Sequence, residues 1–149
     1  MRAVVQRVLN ANVKVDGEIT GEIQKGILVF LGVTHDDQNA DYEWISEKVA
    51  NLRIFEDENE KMNYSLKDVN GEILLISQFT LYGDARKGRR PSYTGAAAPD
   101  YAEKKYEECG KYLEKMGIKV AYGIFGADMK VDLVNDGPVT ILLDSKKNF

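Results

Sequence analysis

The chain has 149 residues, 44% of them hydrophobic and 30% charged, with a formal net charge of −4. That is the length of one domain with a real core, expected here over residues 1–149, and the acidic balance argues against nonspecific nucleic-acid binding by the whole surface. No apolar run nears the roughly 20 residues of a membrane span, and a single cysteine excludes an internal disulfide.

Met1 to Arg7 lacks the apolar core and cleavage site of a signal peptide, so a cytoplasmic location with no membrane partner is expected. Val4 to Leu9 reads as a strand whose alternation puts Ala3, Val5, Arg7 and Leu9 on one face. Arg7 is a charge on an otherwise apolar face, which needs a path to solvent or a partner. Ala11–Val15 and Glu18–Ile23 flank Asp16-Gly17, a strong two-residue hairpin signal. Ile27–Val33 reads as a buried strand. Asp41–Leu52 reads as a helix, with Ile45, Val49 and Leu52 on one face and Asp36, Asp37 and Asn39 offering caps. The acidic stretch Glu56–Glu60 is expected to be a solvated turn.

Val69-Asn70-Gly71-Glu72 is a second tight turn, and Ile73–Leu81 the strand that follows. Tyr82–Asp100 is a long loop rich in Gly, Pro and Arg. Pro99 opens a helix over Tyr101–Met116, and Gly117 is placed to end it. The stripe Ala102, Tyr106, Cys109, Leu113, Met116 makes Cys109 a buried, inert thiol. Ile118–Tyr122, Lys130–Val134 and Val139–Leu143 are the last strands. The predicted fold class is α+β, a barrel-like, mostly antiparallel sheet with two main helices packed outside.

Charge is unevenly spread. Asp36 to Glu72 holds 11 acidic and 4 basic residues, whereas Asp84 to Thr94 holds four basic residues and one acid. The basic piece, Arg86-Lys87-Gly88-Arg89-Arg90, lies between Tyr82 and Tyr93. It reads either as a solvated loop or as a contact for phosphates.

Familiar catalytic sets are missing. The one histidine, His35, sits in a polar turn, so a Ser-His-Asp arrangement is not expected. No metal-ligand spacing and no glycine-rich phosphate loop occurs, and neither metal nor cofactor is expected. Two strings remain. Ser77-Gln78-Phe79-Thr80-Leu81 ends a buried strand; alternation would put Gln78 and Thr80 on one face and Ser77 and Phe79 on the other. Their side chains and nearby N–H groups can form an oxyanion hole, Thr80 can be a nucleophile lacking an evident base, or the hydroxyls can merely finish the strand. Asn135-Asp136-Gly137-Pro138 reads as a turn between strands; with a cis bond, its carbonyls would be fixed acceptors for an ammonium group.

With these strings in that order, the chain resembles the D-aminoacyl-tRNA deacylases essentially end to end. The likeness includes Met1–Val8, Leu52–Asp57, Ser77–Tyr82, Arg86–Ala97, Phe125–Met129 and Leu133–Leu143, with Ile124 where a polar or basic residue is expected. The resemblance implies a homodimer that hydrolyses D-aminoacyl-tRNA. Gly137 and Pro138, joined by a cis bond, would enter a pocket of the partner built from Ser77, Gln78, Phe79 and Thr80. Ala102, Phe125 and Met129 match pocket-lining positions, and Arg7 matches a prop for the Gly-Pro segment. Arg86, Lys87, Arg89 and Arg90 become candidate contacts for the tRNA backbone. The competing readings are a nucleic-acid-binding module without turnover, a general esterase using Thr80, and an inactive structural dimer.

Overall fold

Asp16 and Gly17 both take positive φ, 51° and 80°, as a two-residue hairpin turn of matching twist requires. They join β1 (Arg2–Val15) to β2 (Glu18–Ile23) in the computed structural model, which describes residues 1–149. The two segments expected on either side of Asn10 are therefore one 14-residue strand. Its facing changes midway, because the register against its neighbour slips between Val8 and Asn10. Ala3, Val5 and Arg7 are buried as expected, but Leu9 is exposed and Val8 turns inward instead.

β3 (Gly26–Gly32) runs antiparallel to the first half of β1. After α1 (Asn39–Asn51), the small pair β4 (Phe55–Glu56) and β5 (Met62–Tyr64) brackets the acidic turn. There Asp57 accepts the backbone N–H groups of Lys61 and Asn59, which hold its carboxyl below the usual range. β6 (Glu72–Ser77) lies parallel to β3. α2 (Pro99–Lys115) leads to β7 (Val120–Tyr122), parallel to β6. β8 (Lys130–Asp144) returns antiparallel along β1. The far ends of the sheet approach so closely that a Cβ on Gly21 of β2 would collide with the Tyr122 carbonyl of β7. The result is a nearly closed, mostly antiparallel barrel with two helices outside. No helix is long and apolar enough to cross a membrane.

β3 and β6 are buried on both faces, which is why they read as unbroken apolar runs. Leu28, Leu74 and Ile76 join Val8, Ala11, Val13 and Ile23 in one cluster. Ile27, Val29, Leu31, Ile73 and Leu75 face the opposite way, against Ile45 and Val49 of α1 and Tyr106, Cys109 and Leu113 of α2. Pro99 starts α2 where no N–H donor is needed, and Gly117 follows its end at φ 85°. The start of α1 differs from expectation. Gln38 is the cap residue, its N–H donating to Asp41 Oδ2 at 2.7 Å. Asp37 is fully buried instead, as the partner of the Met1 ammonium at 2.6 Å.

Cys109 is fully buried beside Ser46, and burial pushes its thiol up to about 11. A thiol so placed is neither ionised nor reachable. Iodoacetamide is expected to leave the native protein unlabelled and to label it fully in denaturant; labelling of the native state at the denatured rate would contradict this placement.

Candidate active site

β6 does not run on to Leu81. The Gln78 N–H makes a last bond to the Leu31 carbonyl, 2.8 Å, and β3 ends one residue later. With no strand left to pair with, Phe79–Tyr82 closes into a single 3₁₀ turn, in which the Gly83 N–H donates to the Thr80 carbonyl at 2.9 Å. Strand alternation therefore fails here. Ser77, Gln78 and Phe79 all line one cavity, while Thr80 sits exposed beside it. Gln78 and Thr80 still meet, the Gln78 amide donating to Thr80 Oγ1 at 2.5 Å. The Phe79 and Thr80 N–H groups open the turn and have no acceptor within the protein. Arg2, to which the sequence assigned no role, holds the turn from behind. Its Nη1 donates to the Leu81 carbonyl at 3.1 Å, and its guanidinium lies 4.6 Å from the centre of the Tyr82 ring.

The cavity measures about 650 Å³, within the size range of small-ligand sites. Ala102 and Tyr106 of α2 and Phe125 from the segment after β7 form much of its apolar wall. The Tyr106 hydroxyl is already committed to the Leu75 carbonyl at 2.7 Å. Met129 does not reach this space; it packs against the cluster around Leu28 and Ile76. A further part of the wall, Thr94 and Ala96 to Pro99, is tied to the end of β3. Thr34 Oγ1 donates to the Gly95 carbonyl at 2.6 Å, and the Ala97 N–H to the Val33 carbonyl at 2.9 Å. His35, expected in an outlying turn, lines the cavity here with Nε2 2.7 Å from the Thr94 carbonyl. Facing a carbonyl, that nitrogen is the donor.

The second string is not a turn between two strands. β8 is one 15-residue strand carrying a large bulge. Gln6 pairs with Thr140 and Val8 with Asn135, so Arg7 alone faces the four residues Asp136 to Val139. The bulge is braced twice. Asn135, another residue whose part the sequence did not reveal, spans its base: Oδ1 accepts the Val139 N–H at 2.8 Å, and Nδ2 donates to the Val139 carbonyl at 3.2 Å. Arg7, only 4% exposed, donates from Nε to the Asp136 carbonyl at 2.9 Å and from Nη1 to the Ile54 carbonyl at 2.6 Å. The charge on the apolar strand face is thus a strut between two main-chain segments.

Gly137 and Pro138 are exposed at the tip, and the peptide between them is cis. Gly137 has φ 142°, where any side chain is strained, and a Cβ would lie 2.7 Å from Val139 Cγ2. None of these tip residues lines the cavity of its own chain.

The sequence profile described as D-Tyr-tRNA(Tyr) deacylase matches residues 4–144. The chain belongs to that family. A D-aminoacyl-tRNA deacylase of Thermosipho africanus is 60% identical over 149 residues, covering both chains completely. Its counterpart from Halothermothrix orenii is 59% identical with the same coverage. Among solved structures, a c-Myc DNA unwinding element binding protein superposes with a TM-score of 0.91 at 42% identity, over 97% of this chain and 98% of that one. A probable eukaryotic D-amino acid tRNA deacylase superposes with a TM-score of 0.77 at 18% identity, over 95% and 97% of the two chains, a likeness of fold.

Proposed function

We propose that this protein hydrolyses the ester of D-aminoacyl-tRNA, releasing the D-amino acid and free tRNA, and that it works as a homodimer. The observation that carries the reading is the bulge. An exposed main-chain projection is braced by a buried arginine and an asparagine, yet its tip, Gly137 and Pro138, does not line the Ser77–Phe79 cavity of its own chain. Rigid backbone presented to solvent in this way suits insertion into a second copy. Leu9, Val134 and Leu142 support the same reading, since they are 51%, 46% and 59% exposed on the strand pair that carries the bulge.

In the dimer, Gly137 and Pro138 of one protomer complete the cavity formed by Ser77, Gln78, Phe79, Ala102 and Phe125 of the other. Main-chain carbonyls at the tip hold the substrate ammonium. The free N–H groups of Phe79 and Thr80 point at the ester carbonyl and stabilise the oxyanion, a role worth roughly 3–4 kcal/mol per donor. With the ammonium and the ester both fixed, only the Cα substituent remains to be sorted. A D side chain leaves toward solvent, and an L side chain meets the Gly137-Pro138 backbone. Backbone collision ignores side-chain identity, so one site serves many D-residues. Glycine has nothing to collide and passes. Lys87, Arg89 and Arg90 are exposed in the segment between Gly83 and Tyr93 and are candidate contacts for the tRNA backbone. Arg86 is committed to Asp84 through two side-chain bonds of 2.9 and 2.6 Å.

The test is deacylation of D-, L- and glycyl-tRNA with EDTA in excess. The D- and glycyl-esters are expected to be cleaved, and the L-ester at least about 100-fold more slowly. Equal rates for the D- and L-esters would overturn the sorting scheme. The alternative reading is nucleic-acid binding without turnover, which the name of the 42% identical DNA unwinding element binding protein favours for that protein. It predicts bound and intact aminoacyl-tRNA in the same assay.

A further inference from the structure

Segment 84–92 is a hairpin rooted at the cavity mouth. Asp84 and Ser92 exchange both backbone bonds, at 2.7 and 2.9 Å. The Arg86 guanidinium turns back to Asp84, and that bond holds the Asp84 carboxyl below the usual range. The tip therefore presents Lys87, Arg89 and Arg90, all exposed and none in an ion pair. At the foot of the hairpin stands Tyr93. Its ring packs edge-on against Phe79, with centroids 5.2 Å apart and planes at 71°. Both rings line the cavity mouth, yet Tyr93 is 41% and Phe79 57% exposed. Two large aromatic faces held open to water beside three unpaired cations are not explained by packing of the core.

We propose that the Phe79–Tyr93 pair is a stacking platform for the base that precedes the terminal adenosine of an RNA 3′ strand, with Lys87, Arg89 and Arg90 following the phosphates upstream. The assignment rests on the aminoacyl-tRNA reading above and adds a subsite at the mouth of the reaction cavity. Its chemistry is that of single-strand recognition, in which aromatic faces take bases without regard to sequence and a basic groove follows the backbone. The geometry suits it: the hairpin begins where the cavity ends, so a strand whose last residue enters the cavity passes the rings first and the cations next. The edge-to-face packing holds Tyr93 in place and leaves a ring face free.

The experiment compares Tyr93→Ala, Tyr93→Phe and the native protein on two substrates, D-aminoacyl-tRNA and the D-aminoacyl ester of adenosine alone. Tyr93→Ala is expected to raise KM for the tRNA by about ten- to a hundred-fold, with kcat nearly kept, as loss of one base stack predicts. That loss should exceed the loss on the adenosine ester by about tenfold or more, and Tyr93→Phe should restore it. Equal losses on both substrates, or no loss on either, would overturn the proposal. Binding of an uncharged oligoribonucleotide ending in CCA is measured alongside, because it needs no hydrolysis. If the native protein binds that strand through Tyr93 but cleaves neither ester, the deacylase reading fails and the platform stands. If native binding is absent or insensitive to Tyr93→Ala, the platform fails. Sedimentation supplies the last arm: a monomeric Tyr93→Ala protein would mean that a second copy covers the rings, and the proposal would fall.

Discussion

Gly137→Val and Ala102→Phe, each expected to be inactive alone, should regain about a quarter of native deacylation when the two chains are mixed in one dimer population. The first change spoils the bulge. A Cβ at Gly137 meets Val139 Cγ2 at 2.7 Å and Arg7 Nη2 at 3.2 Å, and φ 142° is hostile to a branched side chain. The second fills the cavity from α2, where Ala102 forms part of the wall and is only 8% exposed. In a mixed dimer, the Gly137→Val chain keeps a sound cavity and the Ala102→Phe chain keeps a sound bulge. One of the two sites is then whole, and random pairing makes half of all dimers mixed. If the bulge served its own chain, or no chain, mixing would restore nothing. The bulge is a sharp target because its support is buried. Arg7 offers a charged donor to two main-chain carbonyls, and bonds of that kind are worth about 1.5–3 kcal/mol each.

How the fold was legible follows from which interactions are local. Asp16-Gly17 states its turn outright, and Pro99 and Gly117 bracket α2, because backbone conformation there is fixed by the residues themselves. β3 and β6 declare burial on both faces through unbroken apolar runs. The errors arise where a distant strand decides. Nothing near Ser77 announces that β3 stops supplying partners at Gly32, so the chain was expected to stay extended through Thr80. Nothing near Pro138 says that β1 continues alongside, so a bulge was expected to be a turn. The same blindness hid Asn135 as the clamp on Val139, Arg2 as the anchor of the 3₁₀ turn, and His35 as part of the cavity wall. Arg7 was legible as a problem, a charge on an apolar face, but its partners Asp136 and Ile54 lie 129 and 47 residues away.

The remaining large effect concerns where the proton goes. Replacing Thr80 by alanine is expected to change kcat by less than about tenfold, whereas a substrate whose terminal adenosine lacks its 2′-hydroxyl should lose about a hundredfold or more, the usual contribution of a positioned acid or base. The Thr80 hydroxyl is held by the Gln78 amide at 2.5 Å, and an amide accepts no proton from it in that arrangement. A nucleophile needs a base within reach, and neither histidine nor carboxylate bonds to Thr80. His35 is engaged through Nε2 with the Thr94 carbonyl. What the 3₁₀ turn does offer is a pair of free N–H groups, which stabilise charge but move no proton. The ribose 2′-hydroxyl lies next to the ester in every aminoacyl-tRNA and can orient the attacking water there. Loss of activity in Thr80→Ala with binding unchanged, together with full activity on the deoxy substrate, would reverse the assignment and make Thr80 the nucleophile.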